Sequence, residues 1–233
     1  MTTEPELHRH PDFAALARSL ARWTRESLVA DISARGEASL VVPGGRTPAP
    51  WFDRLSQADL DWGRVHVALT DERWVDARDP ASNERLVRER LLRDKAASAV
   101  LTGLWNGAAT AAAGTHAAWQ TLQTLPRPFD LVVLGMGEDG HFASLFPGDE
   151  GSLRGLDATQ PPGCVAVQAP AEPRERISLN LAALLQARRL ALLVTGERKL
   201  ALIHAQQRGT GEALPVRALL QQKVSPLSIW WSP

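Results

Sequence analysis

Short apolar runs alternate along the chain with longer amphipathic stretches. The runs Ala38–Val42, Val65–Leu69 and Phe129–Leu134 are mostly apolar, as are strands that a parallel sheet buries on both faces. Between such runs apolar residues recur near a period of 3.6, as at Leu16 and Leu20, which is typical of helices that cover a sheet. This order predicts an α/β fold: a Rossmann-like, doubly wound, mostly parallel sheet with flanking helices in a single domain.

Cap and turn residues suggest where the elements begin and end. The first helix is predicted over Phe13 to about Ser33, with Gly36 as its stop. Thr47 is predicted to cap a second helix that ends near Leu55, and Ser82 is predicted to cap a third that reaches about Arg93. Residues 1–10 are predicted to be a disordered tail before one domain over residues 11–233. The weaker predictions are strands at 100–104, 164–168, 190–194 and 227–231, and helices at 108–125, 179–186 and 197–207.

Composition and charge exclude several classes of function. The 233 residues include 26 Lys and Arg against 26 Asp and Glu, a balance that disfavours a nucleic-acid or membrane-surface partner. The single cysteine, Cys164, cannot form an internal disulfide, and no Cys/His spacing suits zinc, so we expect no metal. Because the N-terminus lacks an apolar signal region, a cytoplasmic location is predicted.

Polar residues that directly follow predicted strands are the candidates for chemistry, because α/β sheets bind ligands at the carboxyl ends of their strands. The first such segment, Gly44–Thr47, joins a strand to a helix start, where backbone N–H groups can cradle a phosphate. A simple tight turn explains two glycines equally well. Arg46 adds a cation to this segment, which matches neither a Walker loop nor the G-x-G-x-x-G pattern.

Two further strand ends carry acid, base or anion-binding side chains. Asp71 and Glu72 precede Arg73, whose guanidinium is able to clamp an anion or stabilise an oxyanion. A surface turn held by ion pairs would have the same sequence. Asp139 and His141 lie on a glycine-supported turn after the strand that ends near Leu134. Histidine is the side chain best suited to general acid/base catalysis near neutral pH, so His141 is the candidate base.

Basic residues later in the chain are candidates for holding a phosphate. Lys199 follows a strand at a predicted helix start, and Arg176 with Arg174 precedes the predicted helix at 179. Lysine on a helix is more often solvated, and of the two arginines Arg176 is the better candidate. No G-x-S-x-G elbow is present around Ser144, so a serine hydrolase lacks its nucleophile. The residues alone thus predict a phosphate-like pocket with one general base.

Six motifs in this order resemble those of one known family. They are PGGRTP (residues 43–48), TDERWV (70–75), SN (82–83), LGMGEDGHFASLFP (134–147), RISL (176–179) and GERK (196–199). By these motifs the chain resembles the 6-phosphogluconolactonases, relatives of the glucosamine-6-phosphate isomerases. The resemblance implies metal- and cofactor-free hydrolysis of 6-phosphogluconolactone, a sugar-phosphate lactone of the pentose phosphate pathway, by an enzyme expected to be a monomer.

The resemblance also implies roles for the candidate residues. His141 would activate water and return the proton to the leaving oxygen, Asp139 would orient it or tune its basicity, and Arg73 would stabilise negative charge near the reacting ring. The residues assigned to substrate and phosphate binding are Gly44, Gly45, Arg46, Thr47, Asp71, Glu72, Arg176 and Lys199. Two positions depart from the family pattern: Arg46 where many relatives have Ser, and Phe142 where they usually have Thr.

Two alternative functions fit the same fold. A glucosamine-6-phosphate deaminase would use Asp71 to remove a proton from C2, but such enzymes resemble D-G-H-I-A-F-N-E-P and need that Glu, whereas residues 143–147 here are Ala-Ser-Leu-Phe-Pro. A non-catalytic sugar-phosphate sensor would need a fused DNA-binding region or a lost base, and His141 is present. Both alternatives are therefore weaker than lactone hydrolysis.

Overall fold

A parallel sheet of seven strands forms the centre of the computed structural model, which describes residues 4–233. The strands, numbered along the chain, are β1 (Glu6–Arg9), β2 (Ala38–Val42), β3 (Val65–Leu69), β4 (Asp71–Arg73), β5 (Val100–Thr102), β6 (Leu131–Gly135), β7 (Cys164–Gln168), β8 (Glu175–Leu179), β9 (Leu190–Thr195) and β10 (Leu227–Ser232). The helices are α1 (Phe13–Arg35), α2 (Ala49–Leu55), α3 (Asn83–Arg90), α4 (Ala111–Leu122), α5 (Glu150–Leu156), α6 (Leu181–Leu184), α7 (Glu197–Gln207) and α8 (Pro215–Gln221). Short 3₁₀ turns cover Trp62–Arg64 and Asp94–Ser98.

The order of the strands in the large sheet determines where a ligand binds. The order is β1-β10-β9-β6-β2-β3-β5, and every pair within it is parallel. From β2 the chain moves outward through β3 to β5, whereas from β6 it moves the other way through β9 and β10. The order therefore reverses between β2 and β6, and a crevice is expected at the carboxyl ends of these two strands. The predicted doubly wound α/β fold is confirmed.

A second, smaller sheet lies beside this crevice. It consists of β4, β8 and β7 in antiparallel order, and β4 follows β3 after the single residue Thr70. In its register Asp71 is opposite Ser178 and Arg73 is opposite Arg176. The small sheet thus carries polar side chains from two distant parts of the sequence to one edge of the large sheet.

The predicted stop at Gly36 and the predicted cap at Ser82 agree with the structure, which also shows a cap at Asp12. Helix α1 begins after Asp12, whose Oδ1 accepts a hydrogen bond from Ala15 N, and it ends at Gly36. Ser82 caps α3, with its Oγ accepting from Arg85 N. In each case the side-chain oxygen pairs with an N–H group that the first helical turn leaves without a partner.

Three predictions were wrong. The tail predicted to be disordered contains β1, which pairs in parallel with Ser228–Trp231 of β10; residues 1–3 lie outside the described part of the chain. Thr47 does not cap α2, because Pro48 is the cap residue and α2 begins at Ala49. The helix predicted from 179 to 186 is limited to α6, because the residues before it form strand β8.

Candidate functional site

A cavity of about 370 Å³ opens at the carboxyl ends of β2, β3, β6 and β9. The loops after these four strands and the small sheet together form its wall. The predicted site residues that line it are Gly44, Gly45, Thr47, Asp71, Arg73, Asp139, His141, Arg176 and Lys199. Arg46 and Glu72 are not among the lining residues, so the structure brings together nine of the eleven residues predicted from sequence.

The loop after β2 approaches the start of α3 closely at Gly44. A Cβ atom at this position would lie 1.9 Å from the side-chain oxygen of Asn83, which is why only glycine fits. Its neighbours Gly45 and Thr47 also line the cavity, whereas Arg46 between them is exposed to solvent. The backbone of this loop is therefore the part that faces a ligand.

Glu72 has a structural position beneath the start of α3. Its carboxylate accepts hydrogen bonds from the N–H groups of Arg73, Asn83 and Glu84, each at 2.7 Å, and from Ser82 Oγ at 3.0 Å. Burial raises the pKa of Glu72, although these four donors act in the opposite direction. With all four donors directed at it, Glu72 organises the helix start rather than the cavity.

Arg73 extends from β4 into the cavity and is oriented by two acceptors. Its Nη1 donates at 2.7 Å to the carbonyl of Ala81 and at 2.7 Å to Oδ1 of Asn83. Asn83 in turn donates from Nδ2 to the carbonyl of Asp71 at 2.8 Å. Among residues 4–233, the buried Nε of Arg73 has no hydrogen-bond partner, so the protein does not satisfy every donor of this guanidinium.

Arg176 is the cross-strand partner of Arg73 and lines the same cavity. Its side chain is buried, and Nε donates to the carbonyl of Pro173 at 2.6 Å. Burial, followed by the positive charge of Arg73, lowers the pKa of Arg176. Like charges directly opposite each other in a sheet are destabilising, and an anion between them would relieve this repulsion. The pair therefore has the electrostatics of an anion site.

His141 and Asp139 form a hydrogen-bonded pair on the other side of the cavity. Nδ1 of the imidazole lies 2.6 Å from Oδ1 of Asp139, which also accepts from the backbone N–H of His141 at 3.2 Å. Because an ionised carboxylate can only accept, Nδ1 carries the proton and Nε2 is the basic nitrogen. Partial burial works against ionisation of Asp139, but its hydrogen bond and charge interaction with His141 prevail and lower the pKa of that carboxyl.

The surroundings of the imidazole further restrict its orientation. The ring of Phe146 packs against it with centroids 4.4 Å apart. On the other side, a Cβ atom at Gly137 would lie 2.2 Å from His141 Nδ1, so any larger residue there would displace the imidazole. The N–H of Gly137 donates to the carbonyl of His141 at 2.9 Å, which closes the turn. The base is thus held by a carboxylate, an aromatic ring and a close backbone contact.

Lys199 reaches the cavity from the first turn of α7. Its Nζ donates at 2.7 Å to the carbonyl of Met136, the residue that follows β6. This bond fixes the ammonium group next to the turn that carries His141, while its other hydrogens are available to a ligand. Three cations, Arg73, Arg176 and Lys199, therefore surround the cavity.

Sequence reasoning missed some residues that shape the site. Asn83 was recognised only as part of a motif, yet it contacts the Gly44 loop and Arg73. Ser144 and Phe146 appear in the sequence analysis as members of the motif over residues 134–147. Neither residue receives a role in the site there. The close contact between Gly44 and Asn83 joins residues that are far apart in sequence. A single sequence has no pattern that indicates such a contact, so Asn83 could not be predicted from it.

Within residues 4–233, no group of three or more His, Cys, Asp or Glu is placed to hold a metal ion. Over the same residues, no helix combines the length and the apolar character that crossing a membrane requires.

Comparisons with known proteins identify similar chains along nearly the full length. The family model described as glucosamine-6-phosphate isomerases/6-phosphogluconolactonase matches residues 11–230. The chain is 41% identical over 228 residues to a 6-phosphogluconolactonase of Rhizobium meliloti (strain 1021), covering 97% of this chain and 98% of that one. It is 40% identical over 229 residues to a 6-phosphogluconolactonase of Pseudomonas putida, covering 98% and 93%. The crystal structure of a 6-phosphogluconolactonase from Shewanella baltica OS155 superimposes with a TM-score of 0.92 at 40% identity, covering both chains fully.

Proposed function

The chain belongs to the glucosamine-6-phosphate isomerase/6-phosphogluconolactonase family, and we propose that it hydrolyses 6-phosphogluconolactone with His141 as the general base. Relatives that bear the lactonase name match nearly its whole length at about 40% identity. The observation that carries the mechanism is the Asp139–His141 pair, which lines one cavity together with Arg73 and Arg176. A base and an anion site in one cavity are what a phosphorylated lactone requires.

The base acts through Nε2, since Nδ1 is hydrogen-bonded to Asp139. Nε2 removes a proton from a water molecule as its oxygen attacks the lactone carbonyl carbon. The carbonyl oxygen becomes negatively charged, and the bond to the ring oxygen then breaks. The imidazolium returns the proton to the leaving oxygen, so His141 ends as it began, without a covalent intermediate.

The cations hold the two negatively charged parts of the reacting substrate. We assign the phosphate to Arg176, Lys199 and the backbone of the Gly44–Thr47 loop, and the charge that develops near the ring to Arg73. Fixing the remote phosphate supplies binding energy that orients the carbonyl against the base. A gluconolactone without phosphate should therefore lose kcat as well as affinity.

The exposed position of Arg46 limits its role in this scheme. Its guanidinium is not part of the cavity wall, so we assign it long-range attraction of the anionic substrate rather than direct contact. Glu72, whose carboxylate receives the N–H groups at the start of α3, contributes by holding Arg73 and Asn83 in place.

A coupled assay tests the activity and the base together. 6-Phosphogluconolactone is generated in situ, and its disappearance is compared with wild-type protein, with His141→Ala and without protein, because the lactone also hydrolyses spontaneously. The proposal predicts clear acceleration by wild type and a loss of about 10²–10⁴-fold in His141→Ala. If the wild type matches the blank, lactone hydrolysis is wrong and glucosamine 6-phosphate is the next substrate to test.

We also propose that the protein acts as a monomer in the cytoplasm. The cavity residues assigned to the reaction all belong to one chain, which is the arrangement a monomer requires. Light scattering coupled to size-exclusion chromatography tests this: a mass near 25.3 kDa supports a monomer, and twice that mass contradicts it.

A further inference from the structure

We propose that Ser144 is a positioning residue that anchors the loop carrying His141 to the small sheet, and that Asp71 is its anchor rather than a group that acts on the substrate. The proposal rests on the proposed function for its kinetic part. Its structural part concerns the chain alone and is tested separately below.

The side chain of Asp71 has both oxygens engaged by hydroxyl groups. Ser144 Oγ donates to Oδ2 at 2.5 Å, and Thr70 Oγ1 donates to Oδ1 at 2.8 Å. The first distance is that of a charge-assisted O–H···O⁻ bond. Ser144 is 1% exposed and Asp71 is 7% exposed, so the bond lies away from water, where it is strongest. Each oxygen of the Asp71 carboxylate therefore already accepts a hydroxyl group of the protein itself.

Ser144 makes a second contact with the small sheet through its backbone. Its N–H donates to Ser178 Oγ at 3.2 Å, and that hydroxyl donates to the carbonyl of Leu179 at 3.0 Å. Since Asp71 and Ser178 are cross-strand partners on β4 and β8, one residue of the loop joins both strands. The two bonds fix Ser144 in position and direction.

The loop needs such an anchor because its backbone is bent just before Ser144. Ala143 has a φ of 49°, a left-handed conformation that costs an L-residue about 1–2 kcal/mol. Hydrogen bonds at the next residue offset this cost in the folded protein. Without the Ser144 side-chain bond, less interaction energy offsets the cost at Ala143, and the turn that carries His141 loses one of its two attachments to the small sheet.

The anchor also relates the base to the cations. Asp71 and Arg73 lie on the same face of β4, two residues apart, and Arg176 is opposite Arg73. The Ser144–Asp71 bond therefore ties the loop that carries the base to the strand that carries the arginines. Misplacement of reacting groups by about 1 Å costs on the order of 10²-fold in rate, which is the loss we expect when this bond is removed.

Three variants and one control test the kinetic part in the full chain. The variants are Ser144→Ala, Asp71→Asn and the two combined, and the control is Ser225→Ala. Ser225 is 2% exposed and its Oγ donates to the carbonyl of Leu185 at 2.5 Å, outside the cavity. It matches Ser144 in burial and bond length, so it reports the general effect of losing a buried hydroxyl.

We expect Ser144→Ala to lower kcat about 10²-fold with KM changed less than about threefold, because the anion site is intact. Asp71→Asn should cost a similar factor, because it removes the charge that strengthens the same bond. The double variant should lose no more than the worse single one, since both changes act on that one bond. Ser225→Ala should keep kcat within about twofold. Multiplicative losses in the double variant, or a far larger loss for Asp71→Asn, would show that Asp71 acts on the substrate itself and overturn the proposal.

Hydrogen–deuterium exchange tests the structural part without any substrate. In Ser144→Ala, peptides covering residues 137–146 should exchange at least tenfold faster than in wild type, whereas Ser225→Ala should leave them unchanged. Unchanged exchange in Ser144→Ala would refute the anchor even if activity fell. If wild type failed to hydrolyse the lactone, the proposed function would fail, and the exchange experiment would still decide whether Ser144 anchors the loop.

Discussion

Replacing Gly137 by alanine should disable the base while leaving the fold intact. A Cβ atom there would lie 2.2 Å from His141 Nδ1 and 2.5 Å from Asp139 Oδ1, far inside ordinary contact, which begins at 3.4 Å. Gly137 is not among the glycines with positive φ, so its backbone accepts an alanine. The methyl group therefore acts on the Asp139–His141 pair and not on the main chain.

The size of the effect follows from how far the imidazole must move. To restore ordinary contact, His141 has to shift by about 1.2 Å, the difference between 3.4 and 2.2 Å. The turn cannot absorb this shift easily, because Gly137 N–H donates to the carbonyl of His141. A displacement near 1 Å costs about 10²-fold in kcat, with the contribution of a general base, about 10⁴-fold, as the upper bound. Overpacking should lower the unfolding free energy by about 1–3 kcal/mol.

The assay is lactone hydrolysis at saturating substrate, with the spontaneous rate subtracted. Gly163→Ala is the matched control, because a Cβ at Gly163 would have its nearest contact at 3.9 Å and the residue lies outside the cavity. KM of Gly137→Ala should stay within about threefold of wild type, since the cations are untouched. Urea denaturation of both variants shows whether the fold persists.

The double variant Gly137→Ala/His141→Ala separates a local effect from a general one. If the methyl group acts only through the base, adding it to His141→Ala should cost no further activity. The reasoning would be refuted if Gly137→Ala kept more than about a third of the wild-type kcat. It would equally be refuted if the double variant lost a further tenfold while remaining folded.

Three other changes follow from the same geometry. Because the pKa of Asp139 is lowered in the folded state, its ionisation stabilises the fold above the ordinary value of 3.8. This stabilisation is lost as pH falls through the lowered pKa, so the difference in unfolding free energy between wild type and Asp139→Asn should shrink in denaturation curves recorded from above 3.8 to below it. Arg176→Met should raise KM for the phosphorylated lactone at least tenfold but leave the rate with gluconolactone nearly unchanged. Asn83→Ala should lower kcat/KM about tenfold by releasing Arg73, and full activity would contradict that role.

Elements made of short apolar runs were predictable from sequence alone. The bounds of β2, β3 and β7 match the prediction, because each is a short run of mainly apolar residues flanked by turn residues. The loops that follow β2, β3, β6 and β9 carry the cavity, as the carboxyl-end rule requires. The positions of Asp139, His141 and Lys199 in one cavity follow from this rule.

Elements stabilised by distant partners were not predictable. Strand β1 contains only polar residues apart from Leu7, and it forms because its backbone pairs with β10 and His8 stacks on Trp230 at 4.3 Å. Strand β4 spans three charged residues whose pairing with β8 crosses about a hundred positions of sequence. No local pattern encodes such pairings, since strand propensity depends mainly on cross-strand neighbours.

The missed small sheet is also what makes the cavity suitable for a phosphorylated lactone. A parallel sheet alone brings loop residues to one edge. Arg73 and Arg176 are distant in sequence, and loops alone would not pair them; the small sheet does so by placing them on adjacent strands. The antiparallel register places Arg73 and Arg176 opposite each other, and the repulsion between their charges makes the cavity favour an anion. Because the same strands hold Asp71 and Ser178, to which Ser144 is bonded, base and anion site share one rigid support. The charged residues of β4 are unfavourable for an isolated strand, so this strand departs from the usual sequence preferences. The departure occurs at the site, where such exceptions are expected.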